Sequence, residues 1–269
     1  MKIPPLTSMQ VEKIRLILST YQDGTGQQIA KTGQTLPGWR DFERAVALSL
    51  GGIGQENKAI FDVLIPHPHT SSFIGVSCKM RRELKYPKPN LEVPLELSNS
   101  SGKFWDVLMQ EHELTTQTYK QYPEKVAHVL FSIVNGWHQK ASKQMGVEID
   151  LDASFYLALL WNEKGYYQLF QFPLALPNLE NLYCHFPPDR LGRPGRHLRG
   201  KDDAGKLFEW YGESGGQLKY YPRPAQATWK SDPFQLEPLP ANTPDGILSK
   251  VQTFFPAQWA STESRISSL

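Results

Sequence analysis

Lys58-Ala-Ile-Phe-Asp-Val-Leu-Ile-Pro66 and Phe73-Ile-Gly-Val-Ser-Cys-Lys-Met80 are two short apolar runs joined by a Pro-His-Pro-His turn. Side chains alternate across a strand with a period of two. The first run therefore predicts a half-buried strand with Phe61, Val63 and Ile65 on one face and Ile60, Asp62 and Leu64 on the other. Pro66 closes it, because proline donates nothing to a ladder. In the second run Ile74, Val76, Cys78 and Met80 point one way and Gly75, Ser77 and Lys79 the other. Ser77 and Lys79 then flank one groove, where Gly75 leaves room for a backbone to approach.

The preceding segment, Pro37 to Leu50, predicts a helix that ends at Gly51-Gly52. Trp39, Phe42, Val46 and Leu50 form its apolar stripe at helical spacing. Glu43 lies on or beside that stripe and needs a partner, which a metal ion or a positive side chain supplies. Further on, Leu91-Glu-Val-Pro-Leu-Glu-Leu97 alternates like a third strand and puts Glu92 and Glu96 on one face. A carboxylate on one strand and a lysine on the next suit phosphodiester hydrolysis. Carboxylate oxygens bind a hard dication, which acidifies a bound water. The ammonium holds the water or offsets charge at the phosphate. The plainer alternative is a cross-strand ion pair on a solvated face.

A helix bearing Glu, a strand bearing Asp and a strand ending in x-x-Lys resemble the PD-(D/E)XK nuclease superfamily, type II restriction endonucleases in particular. The resemblance covers about residues 37–113. Two positions depart from its pattern. Ser77 stands where the family usually has an acid two residues before the lysine, and Phe61 stands where proline usually precedes the aspartate. Some restriction enzymes of the superfamily lack that acid and recruit a carboxylate from elsewhere, for which Glu43, Glu92 and Glu96 are the candidates here.

The chain has 269 residues, 40% of them hydrophobic, and a formal charge of only +2, so a nucleic-acid surface has to be a local patch. Its two cysteines, Cys78 and Cys184, offer neither a disulfide framework nor zinc spacing. Cys78 is expected to be a small buried hydrophobe. No phosphate loop, dinucleotide fingerprint or nucleophile elbow is present, which argues against a nucleotide cofactor and a serine hydrolase. No signal peptide or membrane-length apolar run is evident, so the expectation is a soluble cytoplasmic protein with no membrane partner. His67 and His69 sit in the Pro-rich turn with no third ligand nearby and are expected at the surface. His128 and His138 lie on a helix.

Helices are also predicted over residues 8–22, 103–113, about 123–143 and about 245–254, and residues 24–38 read as a connector. Residues 154–161 and 166–172 flank Asn-Glu-Lys-Gly as a hairpin. Strands and helices mix without regular βαβ alternation, so the fold class is α+β. The resemblance implies a restriction-endonuclease-like core, a central mixed β-sheet flanked by helices. One domain spans 1–269, with a catalytic core at about 37–143 and a DNA-recognition part at about 154–255.

Arg190, Arg193, Arg196, His197, Arg199 and Lys201 crowd a segment broken by glycine and proline. Such a loop suits a phosphate backbone, and arginine can also bond guanine O6 and N7. Gln217 and Lys219 share a face of the next predicted strand, where they can address base edges, and Arg223 follows. The plain alternative is a solvated loop beside an aromatic strand.

Together with the resemblance, these features give the expectation of a Mg2+-dependent, site-specific endonuclease acting on double-stranded DNA. Asp62, Glu43 and Glu96 would hold the metal, and Lys79 would position water. The expected assembly is a homodimer, which matches a two-fold DNA site. The open alternatives are a structure-specific repair or recombination nuclease and a non-catalytic DNA-binding module with a degenerate core.

Overall fold

A computed structural model describes residues 4–55, 60–98, 101–142, 146–213 and 216–260. The chain is α+β, as expected. Helix α1 (Ser8–Thr20) begins with a capping box in which the Thr7 hydroxyl accepts from the Gln10 N–H. The connector carries a two-residue ladder, β1 (Gln28–Ile29) with β2 (Thr35–Leu36). Helix α2 (Trp39–Leu50) stops at Gly51, whose φ of 65° is left-handed.

Then come β3 (Ile53–Gly54), β4 (Val63–Pro66), β5 (Phe73–Arg81), β6 (Leu95–Ser98), α3 (Ser101–Gln110) and α4 (Pro123–Ala141). The hairpin is β7 (Ile149–Trp161) and β8 (Tyr166–Pro173), paired from Phe155↔Pro173 to Trp161↔Tyr167. After it come β9 (Tyr183–His185), β10 (Leu198–Asp202), β11 (Gly205–Trp210), β12 (Leu218–Tyr220), β13 (Trp229–Lys230) and β14 (Phe234–Gln235). Helix α5 (Gly246–Phe254) is capped by Asp245, which accepts from Ile247 and Leu248 N–H.

Two sheets organise these elements. The first is mixed, in the order β13-β8-β7-β5-β4-β3, with β14 also on β8. Within it β5 and β7 are parallel and the other pairs antiparallel. The second is antiparallel, in the order β6-β12-β11-β10-β9. Helices α1 and α2 cover one face of the first sheet, where Ile14, Leu18, Phe42 and Val46 meet Val63, Val76, Cys78 and Leu157. Its other face meets the second sheet through Tyr156, Leu160, Phe170, Leu95 and Tyr220. Helices α3 and α4 pack Phe104, Leu108, Leu130 and Val134 on Leu198, Phe208, Trp210 and Leu218 of the second sheet.

Two strand expectations change. The first predicted strand begins only at Val63, and residues 58 and 59 lie outside the described residues. Phe61 packs with Leu64, Ala141 and Ile149, on the side opposite Val63. The alternation slips at Asp62, where the paired register has ended at Val63 but the Asp62 N–H still donates to the Val76 carbonyl at 2.9 Å. Gly75 faces this slip: its missing Cβ would lie 2.4 Å from the Phe61 ring, so a ring rather than a backbone fills the space. The third predicted strand shrinks to β6, because Pro94 cannot donate to a ladder and the segment joins the second sheet instead of β5.

Candidate functional site

The candidate site occupies the gap left by the slip. β4 pairs with β5 from Pro66↔Phe73 to Val63↔Val76 and goes no further. Beyond Val76, β5 keeps β7 on one side only. An antiparallel continuation would satisfy the N–H of Cys78 with a carbonyl. The Asp62 carboxylate takes its place, accepting that N–H at 2.7 Å. Lys79 Nζ lies 3.7 Å from the same Asp62 oxygen, and Ser77, only 1% exposed, lies beside them. Cys78 turns to the opposite side, into the α1/α2 core, where burial pushes its thiol well above the usual range.

Glu43 approaches from α2. Burial raises its carboxyl to about 7, the charge of Asp62 adds to the rise, and Lys79, Arg40 and Arg44 oppose it. Asp62 is raised as well, by burial above all, with Lys79, the Cys78 N–H and Ser77 pulling the other way. Three residues predicted from sequence, Glu43, Asp62 and Lys79, are therefore electrostatically coupled in one place. Arg40 and Arg44, one helical turn apart on the exposed side of α2, were not foreseen as neighbours. Their spacing around Glu43 is the signal that was available.

Glu96 stands elsewhere. It forms an ion pair with Arg81, two residues beyond Lys79 on β5, and sits opposite Lys219 in the second sheet. Glu92 faces Lys206 at 3.7 Å. Among the described residues no three His, Cys, Asp or Glu side chains form a metal-ligating group. The donors that fit a cation are the oxygens of Glu43 and Asp62. Both carboxyls are pushed toward their neutral forms, and a nearby dication reverses that push.

The basic segment is more compensated than its sequence suggests. Arg193 pairs with Asp189 at 3.1 Å, Arg196 lies 3.9 Å from Glu213, Arg199 bonds Glu209 at 2.8 Å, and Arg223 pairs with Asp202. Arg190 is exposed. Arg199 and Lys201 belong to β10 and not to the loop, and Lys201 lies over the Tyr183 ring. Lys219 sits on β12 with Gln217 just before it, and its ammonium is 4.9 Å from the Tyr211 ring centroid.

His67 departs from expectation. It is buried, 3.8 Å from Asp150, and its Nδ1 accepts the His69 N–H, while His69 is exposed. The turn folds back because the His67 N–H donates to the Ser72 carbonyl. On α4, His128 is exposed, and His138 is buried with its Nε2 2.9 Å from the Tyr156 hydroxyl.

The acid that sequence reasoning missed is Glu209. It is a lone carboxylate within Leu207-Phe-Glu-Trp210 and is 4% exposed at the side chain. The Tyr211 hydroxyl donates to it at 2.7 Å and Arg199 Nε at 2.8 Å. Burial raises its carboxyl, but these two bonds outweigh that and hold it below the ordinary range. No helix among the described residues is long and apolar enough to cross a membrane. No protein family, no curated protein and no solved structure matches this chain.

Proposed function

We propose that the protein is a divalent-cation-dependent endonuclease that cuts double-stranded DNA at specific sites, with a restriction-endonuclease-like core. The carrying observation is that Glu43 of α2, Asp62 before β4 and Lys79 of β5 are coupled at one gap in a mixed sheet. That order, helix acid, acid at the head of a strand, strand lysine, follows the order the sequence resemblance implies.

Glu43 and Asp62 are the residues that would hold the cation, Mg2+ in this reading. When bound, it lowers the pKa of a bound water and stabilises charge on the phosphate. Glu96 is engaged by Arg81 and leaves the ligand set to Glu43. Asp62 is fixed by the Cys78 N–H, so its carboxylate needs little reorientation. Lys79 holds the attacking water and offsets charge on the phosphate. Water oxygen bonds to phosphorus as the P–O3′ bond breaks, leaving a 5′ phosphate and a 3′ hydroxyl. Arg190 and Lys201, which form no ion pair among the described residues, are the phosphate contacts of this reading. A homodimer is its expected assembly.

One observation favours a non-catalytic DNA-binding module. Asp62 already caps the Cys78 N–H and pairs with Lys79, which is what a purely structural strand end requires. Incubation of a plasmid of known sequence with Mg2+ decides between the readings. Discrete fragments that vanish in Asp62→Ala and Lys79→Ala, each at least about a hundredfold slower, support the site-specific nuclease. A smear or selective cutting of branched DNA supports the structure-specific alternative. Cleavage unchanged in both variants removes the assigned site.

A further inference from the structure

The face of the second sheet turned away from α4 carries a row of polar side chains in register. Arg199 of β10 stands opposite Glu209 of β11 and beside His185 of β9. Glu209 stands opposite Lys219 of β12, and Lys219 opposite Glu96 of β6. Glu96 then pairs with Arg81 of β5, two residues from Lys79. From β10 to β6 the row crosses three strand spacings, about 14 Å, or about four base-pair rises of B-DNA.

A bulge shapes the row. Gly200 pairs with Phe208 and Lys201 with Lys206, so Leu207 is the extra residue. The bulge brings Lys206 to within 3.8 Å of Glu209 and places its ammonium 3.5 Å from the Tyr221 ring centroid. Glu209 is thereby enclosed by Arg199, Lys206, Tyr211 and Tyr221. Arg199 above it is 43% exposed. Its Nε is committed to Glu209 Oε1, and its two terminal nitrogens have no hydrogen-bond partner among the described residues.

We propose that Arg199 reads a guanine of the DNA substrate in the major groove, with buried Glu209 as the positioning residue that fixes its guanidinium. The proposal rests on the reading of the protein as a DNA nuclease. A guanidinium held by Nε presents a fixed fork of terminal N–H donors, which matches guanine O6 and N7. A phosphate is the poorer match. Glu209 compensates the charge of Arg199, which weakens the pull on an anion and leaves directional bonds to a neutral base edge intact. Lysine in place of Arg199 would lose the fork while keeping the charge.

The test begins with plasmid digestion in Mg2+ and mapping of the ends, which gives the cut sequence. Duplexes of that sequence are then made with 7-deazaguanine replacing each guanine in turn, which deletes N7. The expected result is one guanine whose replacement slows the wild type roughly ten- to a hundredfold. Arg199→Lys and Arg199→Ala should be slow on the unmodified duplex and indifferent to that replacement. Glu209→Gln should lose most of the same discrimination at an unchanged dependence on Mg2+, which a merely stabilising residue would not do. Discrete cleavage by Arg199→Lys that stays as sensitive to every guanine as the wild type overturns the proposal and leaves the nuclease reading standing. No cleavage and no binding of plasmid DNA by the wild type overturns both.

Discussion

Replacing Glu43 by glutamine isolates the charge conflict at the candidate site. The carboxyl titrates near 4.5 in the unfolded chain and about 7 in the folded one. Between those values the folded protein keeps a proton that the unfolded chain has lost. Its contribution to stability is therefore complete below pH 4.5 and is lost as pH rises through 7. A difference of that size is worth about 3 kcal/mol in full, and about 1–2 kcal/mol once solvent screening of a half-buried side chain is counted. Glutamine keeps the shape and removes the titration. Glu43→Gln should match the wild type near pH 4.5 and exceed it by about 1–2 kcal/mol at pH 8, a rise of a few degrees in Tm for a chain of this size. Mg2+ at pH 8 should raise the Tm of the wild type and leave the variant nearly unmoved, because a ligand stabilises only the state that binds it. The assay is thermal unfolding by circular dichroism at pH 4.5 and 8, with and without Mg2+. Equal Tm differences at the two pH values refute the buried charge conflict. An equal Mg2+ response in both proteins refutes Glu43 as a cation ligand.

Ser77→Ala removes a buried hydroxyl beside Asp62 and should slow cleavage less than tenfold, while Glu96→Gln, which loosens Arg81, should leave metal dependence unchanged; a Glu96 variant needing far more Mg2+ would return Glu96 to the ligand set. Cys78→Ala should cleave normally and unfold at a lower temperature, since its side chain lies in the α1/α2 core; lost cleavage at full stability would place it in the site. Burial lowers His138 from 6.5 to about 4, so the unfolded chain takes up a proton that the folded protein refuses, and stability should fall by roughly 3 kcal/mol as pH drops from 6.5 to 4. His138→Gln should flatten that part of the pH profile, and urea titrations at pH 4.5 and 7 with an unchanged difference would count against the buried neutral imidazole.

Strict alternation in residues 73–80 was enough to place Lys79 and Cys78 on opposite sides of β5, and the helical stripe of α2 was enough to turn Glu43 inward. The slip at Asp62 was not legible, because it arises where a carboxylate replaces a backbone carbonyl, and no periodicity encodes that exchange. Glu96 looked like a neighbour of Asp62 because it follows in sequence. Its strand pairs with β12 instead, and local pattern carries no information on so distant a partner. The arginine-rich segment was read by its own residues alone. Of the acids that pair with it, only Asp189 lies within the segment's own turn, and Glu209 and Glu213 come later in the chain, on β11 and after it.

The exchange of strands between the halves of the chain bears on synthesis and on dissection. β5 finds its parallel partner only at residues 149–161, and β6 finds β12 only at 218–220. A nascent chain that has emerged only through α4 therefore carries two unpaired strand edges, the kind of surface on which chains join to one another. Excising the segment 37–143 as a minimal catalyst would make that exposure permanent. Such a fragment should associate rather than fold, whereas a chain nicked in the exposed turn near Asp203, after both long-range pairings are made, keeps every strand in place.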